Sequence, residues 1–365
     1  MPTTDQLKQL ASSLEGKLLF DELHKTLYST DASAYKLRPV AAALPKSDAD
    51  IVKLLAFAKE HNISLTPRTA GTSLAGQTVG NGIIVDVSKY FTKIVSFDKT
   101  NKTVTVQPGV IRDELNLFLK PHGLFFGPNT STSNRCMIGG MVGNNSSGTT
   151  SIRYGVTRDK IVEVKAILSD GSKVNFSSLT STEFIQKTKG STLENQIYKT
   201  LYDELSIETA QLEIKNQFPK PEIHRRNTGY AVDILLNSDL FGGSQPQINV
   251  GQLLCGSEGT LAFTTEVTLK LDDLPPTNNI MVVTHFTSIQ ESLEAVMVAM
   301  KHHLYTCEMI DDTILDCTKN NKEQRKNRFF IQGEPKAIMV FEVASHESMA
   351  CLLYTSPSPR DGLLS

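Results

Sequence analysis

The sequence is poor in several features that would each decide a class. No apolar run reaches the length of a membrane span. The first residues, Met1–Gly16, carry Asp5, Lys8 and Glu15 where a secretory signal would have its apolar stretch. Cysteine is sparse and unpatterned. Cys136, Cys255, Cys307, Cys317 and Cys351 are odd in number, form no C-x-x-C pair, and build no paired Cys/His zinc-ligand pattern. A disulfide framework and a zinc module are thereby excluded, leaving free, mostly buried thiols in a reducing compartment. Net charge is also scarce, at −2 over 365 residues, so there is no global basic field to attract nucleic acid or an anionic membrane. The expectation is a soluble cytoplasmic protein, free or peripheral to a membrane, with no transmembrane segment, no nucleic-acid partner and no metal site.

What is present is the composition of an ordinary globular core, in a chain long enough for about two to three domains. Ser47–His61 places Ile51, Leu54, Leu55 and Ala58 on one helical face, with Ser47 or Asp48 as N-cap. Ile63–Pro67 predicts a short strand, and Ile83–Val87 a second. Ile94–Asp98 with Thr103–Gln107, and Ile161–Leu168 with Lys173–Phe176, read as hairpins, the latter around an Asp170-Gly171 turn. Arg112–Leu119 is a helix, Gly123–Ser151 a long stretch of Gly, Asn, Ser and Thr, and Thr182–Gln217 mainly helical. Pro275-Pro276 closes this unit, and a strand–helix pattern restarts at Ile280. Strands and helices mixed in hairpin order argue for α+β layers over a parallel βαβ series.

The end of the chain breaks its own pattern. Ala337–Ala344 predicts a strand and Ser345–Ala350 the start of a helix, but Pro357 and Pro359 then interrupt. A Pro-rich linker is one reading. The run Cys351-Leu352-Leu353-Tyr354-Thr355-Ser356-Pro357-Ser358-Pro359-Arg360-Asp361 also resembles the conceptual translation of a transposase-type sequencing-library adapter. On that reading residues 351–365 are a non-native tail and the natural protein continues beyond about Ala350.

Three segments carry chemistry. In Pro67-Arg68-Thr69-Ala70-Gly71-Thr72-Ser73-Leu74-Ala75-Gly76-Gln77 small residues let the backbone turn its N–H groups towards an anion. Thr72 and Ser73 add hydroxyls, and Arg68 offers charge. The spacing is neither a Rossmann G-x-G-x-x-G nor a P-loop. Alone, it fits a structural loop as well as a phosphate cradle. Phe126–Gly148 has little bulk, contains Gly139-Gly140, and has an apolar anchor at Met137, Ile138, Met141 and Val142; a loop of that length points to function. The glycine pair would let backbone pack close to a flat ring. Cys255-Gly256-Ser257-Glu258-Gly259-Thr260-Leu261 is a tight turn leading into a β-rich run, and by itself fits a plain hairpin.

In order and wording these segments resemble the FAD-binding domain of vanillyl-alcohol-oxidase-type flavoproteins. The branch is the FAD-linked oxidases that include glycolate oxidase subunits, D-lactate dehydrogenases and D-2-hydroxyglutarate dehydrogenases. The likeness runs from about Lys36 to Leu271 and more weakly to Ala350. It implies a two-subdomain FAD-binding domain followed by the beginning of an α+β substrate, or cap, domain. The corresponding boundaries are a helical segment at 1–35, the FAD-binding domain at 36–273 and a partial cap domain at 277–350.

The resemblance assigns cofactor contacts to Pro67, Arg68, Thr69, Ala70, Gly71, Thr72, Ser73, Gly76 and Gln77. It extends them to Pro108 and Gly109, to Pro128, Thr130, Ser131, Gly139, Gly140, Asn144 and Gly148, to Tyr154 and Gly155, and to Gly256, Glu258 and Gly259. Some relatives attach FAD through a histidine in the first loop. This loop has none, which implies non-covalent FAD. Thr69-Ala70 replaces two glycines common in the family. Phe126–Ser131 and Asn227-Thr228-Gly229-Tyr230 look most like long members with a C-terminal iron–sulfur module, whose cysteine motifs do not occur in this sequence.

Oxidation of a 2-hydroxy acid needs a flavin to take hydride, a base for the hydroxyl proton and cations for the carboxylate. His224, Arg226 and Tyr230 are the catalytic candidates, and Arg225, Arg226, Asn227 and Glu308 the substrate-binding ones. An arginine pair is as readily a solvated face or an ion pair, and Glu308 as readily an exposed acidic helix start. His302-His303 lacks metal-ligand spacing and reads as a surface pair. The His-x-Gly-Asp-Gly-Asn-x-His-like segment of the family does not occur here, so the chain is expected to hold FAD weakly and turn over little. The expected function is oxidation of a D-2-hydroxy acid such as D-lactate, glycolate or D-2-hydroxyglutarate, with electrons passed to an acceptor the sequence does not name. A sugar or aldonolactone oxidase of the same fold, and a non-catalytic flavin-binding module, are the alternatives.

Overall fold

Two runs buried along their whole length organise the N-terminal part. Ala41–Leu44 and Ile83–Asp86 present no residue to solvent on either face, which requires a sheet covered on both sides. They are β2 and β4 of a four-stranded sheet that also contains β1 (Lys17–Leu19) and β3 (Leu65–Arg68), in spatial order β1-β2-β4-β3. β2 and β3 both run parallel to β4, and antiparallel β1 closes the far edge. The helix Asp48–Glu60 crosses from β2 to β3 and buries Ile51, Leu54 and Ala58, as its spacing predicts. This sheet is therefore a parallel βαβ unit, which the hairpin-order reading passed over; the consecutive apolar residues Ala41–Leu44 and Ile83–Val85 were the available signal. In the first 35 residues, helices Thr4–Ser13 and Glu22–Leu27 flank β1, so this part also contributes a strand to the sheet.

The computed structural model describes residues 1–220, 222–223, 225–226 and 229–346. The adapter-like run at 351–365 and most of the helix expected at 345–350 lie outside the described residues, as do His224 and Asn227.

The second sheet is antiparallel and six-stranded. Its strands are β5 (Ile94–Asp98), β6 (Thr103–Val106), β7 (Ile161–Ile167), β8 (Lys173–Leu179), β9 (Ile248–Asn249) and β10 (Phe263–Lys270). Their order is β9-β8-β7-β10-β6-β5, and both predicted hairpins are present. Leu115 and Leu119 from helix Arg112–Leu119, with Phe184 and Tyr198 from the helices after β8, join the core on this sheet. The Gly123–Ser151 stretch is not the bare loop expected. Ile138–Asn144 is helical, and Ile138, Met141 and Val142, at i, i+3 and i+4, are buried in the same core with Phe126 and Cys136.

The chain divides into two units. The first is Met1–Phe126, Thr130–Ser146 and Val156–Asp272; the second is Gly127–Asn129, Ser147–Gly155 and the chain from Asp273 onward. The second has its own antiparallel sheet, β11 (Asn278–Phe286), β12 (Thr306–Asp311) and β13 (Ala337–Ser345), with β13 in the middle. Helix Ile289–Ala299 covers one face, and helix Asp312–Lys319 packs on the other. Among the described residues no helix is long and apolar enough to cross a membrane.

Candidate cofactor site

The first loop leaves the end of β3, where the parallel sheet stops pairing. Its glycines are placed by need. Gly71 has φ +65° and Gly76 φ +75°, a region that L side chains rarely enter. Gly71 is buried, and the backbone N–H groups of Ala70, Gly71, Thr72, Ser73 and Leu74 donate to no described group. Five successive donors without acceptors among the described residues, the first four on residues at least half-buried, are available to an anion from outside the chain.

Two further segments of the first unit close on this loop. Helix Ile138–Asn144 approaches through its glycines: a Cβ on Gly140 would lie 2.6 Å from Thr69 Oγ1, and one on Gly139 2.4 Å from Pro108 Cβ. The close approach those glycines permit is therefore to Thr69 and Pro108, where the sequence reading expected a flat ring. Gly139 donates its N–H to the Pro108 carbonyl at 2.8 Å, and Gly109 to that of Phe91 at 2.7 Å, so Pro108-Gly109 anchors the helix start.

The glycine turn is the third wall. Gly256 and Glu258 donate N–H groups to the Val142 and Gly143 carbonyls at 3.0 and 2.9 Å, which satisfies carbonyls at the end of the short helix. Gly256, Glu258 and Gly259 all have positive φ. Gly259 faces Pro67, 3.1 Å from its place for a Cβ to Pro67 Cγ. Side chains complete the closure: Gln77 Nε2 donates to Glu258 Oε1 at 2.8 Å and to Asn144 Oδ1 at 3.4 Å. Gln77 Oε1 is buried with no donor among the described residues, a second orphan at the same place.

Arg68 turns away from this concavity. It donates to the Thr30 carbonyl at 2.9 Å and stands 5.5 Å from the Tyr28 ring, whose hydroxyl donates to Asp86 at 2.7 Å. Burial, and then the Asp86 carboxylate, push the Tyr28 hydroxyl well above its ordinary value. Ser73 Oγ accepts weakly from Ala75 N–H at 3.5 Å. Thr130 Oγ1 pairs with Cys136 Sγ at 3.3 Å, and Ser131 is exposed. Pro128, Gly148, Tyr154 and Gly155 belong to the second unit, where a Cβ on Gly148 would lie 1.5 Å from the Asn129 carbonyl oxygen. There Arg153 stacks on Tyr305 at 5.2 Å, beside Tyr154.

On the substrate side, Arg226 forms an ion pair with Asp233, both largely buried, and stands 6.0 Å from the Phe218 ring. Arg225 is exposed. Tyr230 hydrogen-bonds through its hydroxyl with Thr260 Oγ1 at 2.8 Å, which ties it to the glycine turn. Glu308 is a half-buried residue of β12 opposite Val340 in the second unit, and the helix after it starts only at Asp312, so it is not a helix start. His302 is half-buried and His303 exposed. Among the described residues no group of His, Cys, Asp or Glu could hold a metal ion.

Sequence reasoning missed Asn145 and Arg158. Asn145 is fully buried at φ +47° and accepts the Arg158 N–H at 2.9 Å. An asparagine after a glycine-rich helix was the available signal, since Asn tolerates this backbone region. Arg158 gave no local signal.

Residues 39–177 match the family described as FAD binding domain. This chain carries an FAD-binding domain. The D-2-hydroxyglutarate dehydrogenase of Haemophilus influenzae is 32% identical over 313 residues, 84% of this chain and 30% of that protein. The protein of the same name from Escherichia coli is 34% identical over 296 residues, 80% and 28% respectively. The chain thus spans less than a third of the length of these relatives. A solved structure titled Physcomitrella patens BBE-like 1 wild-type aligns at TM-score 0.61 and 14% identity over 98% of this chain and 59% of that one. That likeness is one of fold, and it agrees with the α+β architecture expected. FAD also fits the residues present: its diphosphate is the class of anion that a row of free N–H groups accepts, and its hydroxyls suit the orphaned Gln77 oxygen.

Proposed function

We propose that the chain is the cofactor-holding part of an FAD-dependent dehydrogenase acting on a D-2-hydroxy acid. The names of the relatives favour D-2-hydroxyglutarate, with D-lactate and glycolate as close chemical variants. The observation that carries the reading is the run of free N–H groups at Ala70–Leu74, enclosed by the Gln77–Glu258–Asn144 contact. FAD is held without a covalent bond, because the loop has no histidine to form one. Bound there, it supplies the acceptor for the hydride that leaves the hydroxyl-bearing carbon.

The chain's own residues handle position and charge. The loop N–H groups fix the diphosphate, and the glycines keep side chains out of its place. Arg225 is the exposed cation offered to a carboxylate, whereas Arg226 is already neutralised by Asp233. Tyr230 stands on the glycine turn, where its hydroxyl can exchange the Thr260 contact for a substrate oxygen. Residues 36–273 serve as the FAD-binding domain and 277–350 as part of a substrate domain that contributes Glu308.

Reconstitution tests this. The purified chain is incubated with FAD, desalted, and its bound flavin read by visible absorbance. It is then mixed anaerobically with each hydroxy acid. Retained flavin with slow, single-turnover bleaching by a D-2-hydroxy acid is expected. A colourless protein refutes the cofactor assignment, and bound flavin that none of the three acids bleaches refutes the substrate class.

A further inference from the structure

Arg158 is 3% exposed, lies in the first unit, and forms an ion pair with no carboxylate among the described residues. Its Nη2 donates to the Cys255 carbonyl at 2.5 Å, its backbone N–H to Asn145 Oδ1 at 2.9 Å, and its buried Nε has no acceptor among the described residues. Burial holds the guanidinium below its ordinary value; Arg226 adds repulsion, while Asp233 and Asp159 oppose it. A buried, unpaired cation is costly, and replacing it by an apolar side chain would be the cheaper way to fill the space. Its one strong side-chain bond goes to the residue that opens the glycine turn. A Cβ on Gly256 would press on Arg158 Nη2 at 3.1 Å, so the guanidinium lies directly against the turn. From that turn Glu258 reaches Gln77.

We propose that Arg158 is a positioning residue for the FAD diphosphate: by gripping the Cys255 carbonyl it fixes the turn from which Glu258 clasps Gln77 of the first loop. Arg158 acts on the ligand only through this turn. The inference rests on the FAD reading above, and its effect is on affinity.

The test uses the full chain and FAD, with Arg158→Met, Arg158→Lys, Gln77→Ala and the double variants. Loss of one charge-assisted hydrogen bond predicts a rise of about ten- to a hundredfold in the FAD dissociation constant for R158M. R158K, which keeps a charged donor, falls between R158M and wild type. Hydrogen exchange speeds up at the Gly256 and Glu258 amides and stays unchanged in β10. In the Q77A background the R158M effect shrinks, because the clasp is already broken. Full additivity, or R158M binding FAD as wild type does, overturns the proposal, since a purely structural arginine would not couple to Gln77. If R158M does not fold, the cycle of R158K with Q77A decides the same point. Wild type failing to bind FAD would sink the functional reading itself, and is told apart by that single measurement.

Discussion

Gly71→Ala isolates the cradle from the rest of the fold. At φ +65° an alanine costs about 1–2 kcal/mol, of which about 0.4–1 kcal/mol returns because the unfolded chain is also stiffened. The new Cβ would sit 2.9 Å from Arg68 Nη2 and 3.1 Å from its Nε, so the guanidinium must swing away. Its bond to the Thr30 carbonyl then goes, at about 0.5–1.5 kcal/mol. The net destabilisation is about 1–3 kcal/mol, or a fall in melting temperature of about 1–4 °C for a chain of this size. Displacing the loop also spoils the row of N–H groups, so FAD affinity falls further than stability does. The control is Gly123→Ala, at φ +79° with nothing within 4 Å of its Cβ. It carries the backbone cost alone and leaves FAD binding untouched. Thermal unfolding and FAD titration of both variants read the two effects separately. If G71A binds FAD like wild type, or if G123A weakens it equally, the cradle is not at Ala70–Leu74.

Two further outcomes follow from buried groups. Asp50, fully buried, accepts N–H bonds from Glu15, Gly16 and Lys46 at 2.8–2.9 Å, so Asp50→Ala strands three donors and destabilises the first unit by about 2–4 kcal/mol in denaturant titrations; a loss below measurement error would show that the turn reorganises. Burial pushes the Cys255 thiol from 9.0 up to about 12, so the folded protein keeps a proton that the unfolded chain releases. That stability is full below about pH 9 and lost as pH rises towards 12, and wild type minus C255A should show this slope. Alkylation at neutral pH should label exposed Cys317 and spare Cys255; rapid labelling of Cys255 would contradict its burial.

Local patterns carried much of the fold. The apolar spacing of Ser47–His61 and the Asp170-Gly171 turn marked a helix that the structure shows within a residue and a hairpin whose second strand runs three residues further than expected, to Leu179. Other features misled. The parallel pairing joins β4 to β3 across 18 residues (Leu65 with Ile83) and to β2 across 42 (Ala41 with Ile83), and no local pattern says which neighbour a buried strand will choose. Gly123–Ser151 read as a loop because small residues dominate it, although three apolar side chains at helical spacing were enough to nail a short helix into the core.

The candidate site divides the same way. The sequence alone determined that Pro67–Gln77 is built of small residues, which suit a structural loop as well as a phosphate cradle, and that no histidine is there to bond a flavin. Only the tertiary structure decided that the donors of Ala70–Leu74 are left over, that Arg68 turns to Thr30 and Tyr28, and that Arg226 is taken by Asp233. It alone brings Gln77 to Glu258, 181 residues further along, with Arg158 behind the turn. Such contacts are set by which surfaces pack, and a hydrogen bond between distant residues leaves no mark in either residue's own neighbourhood.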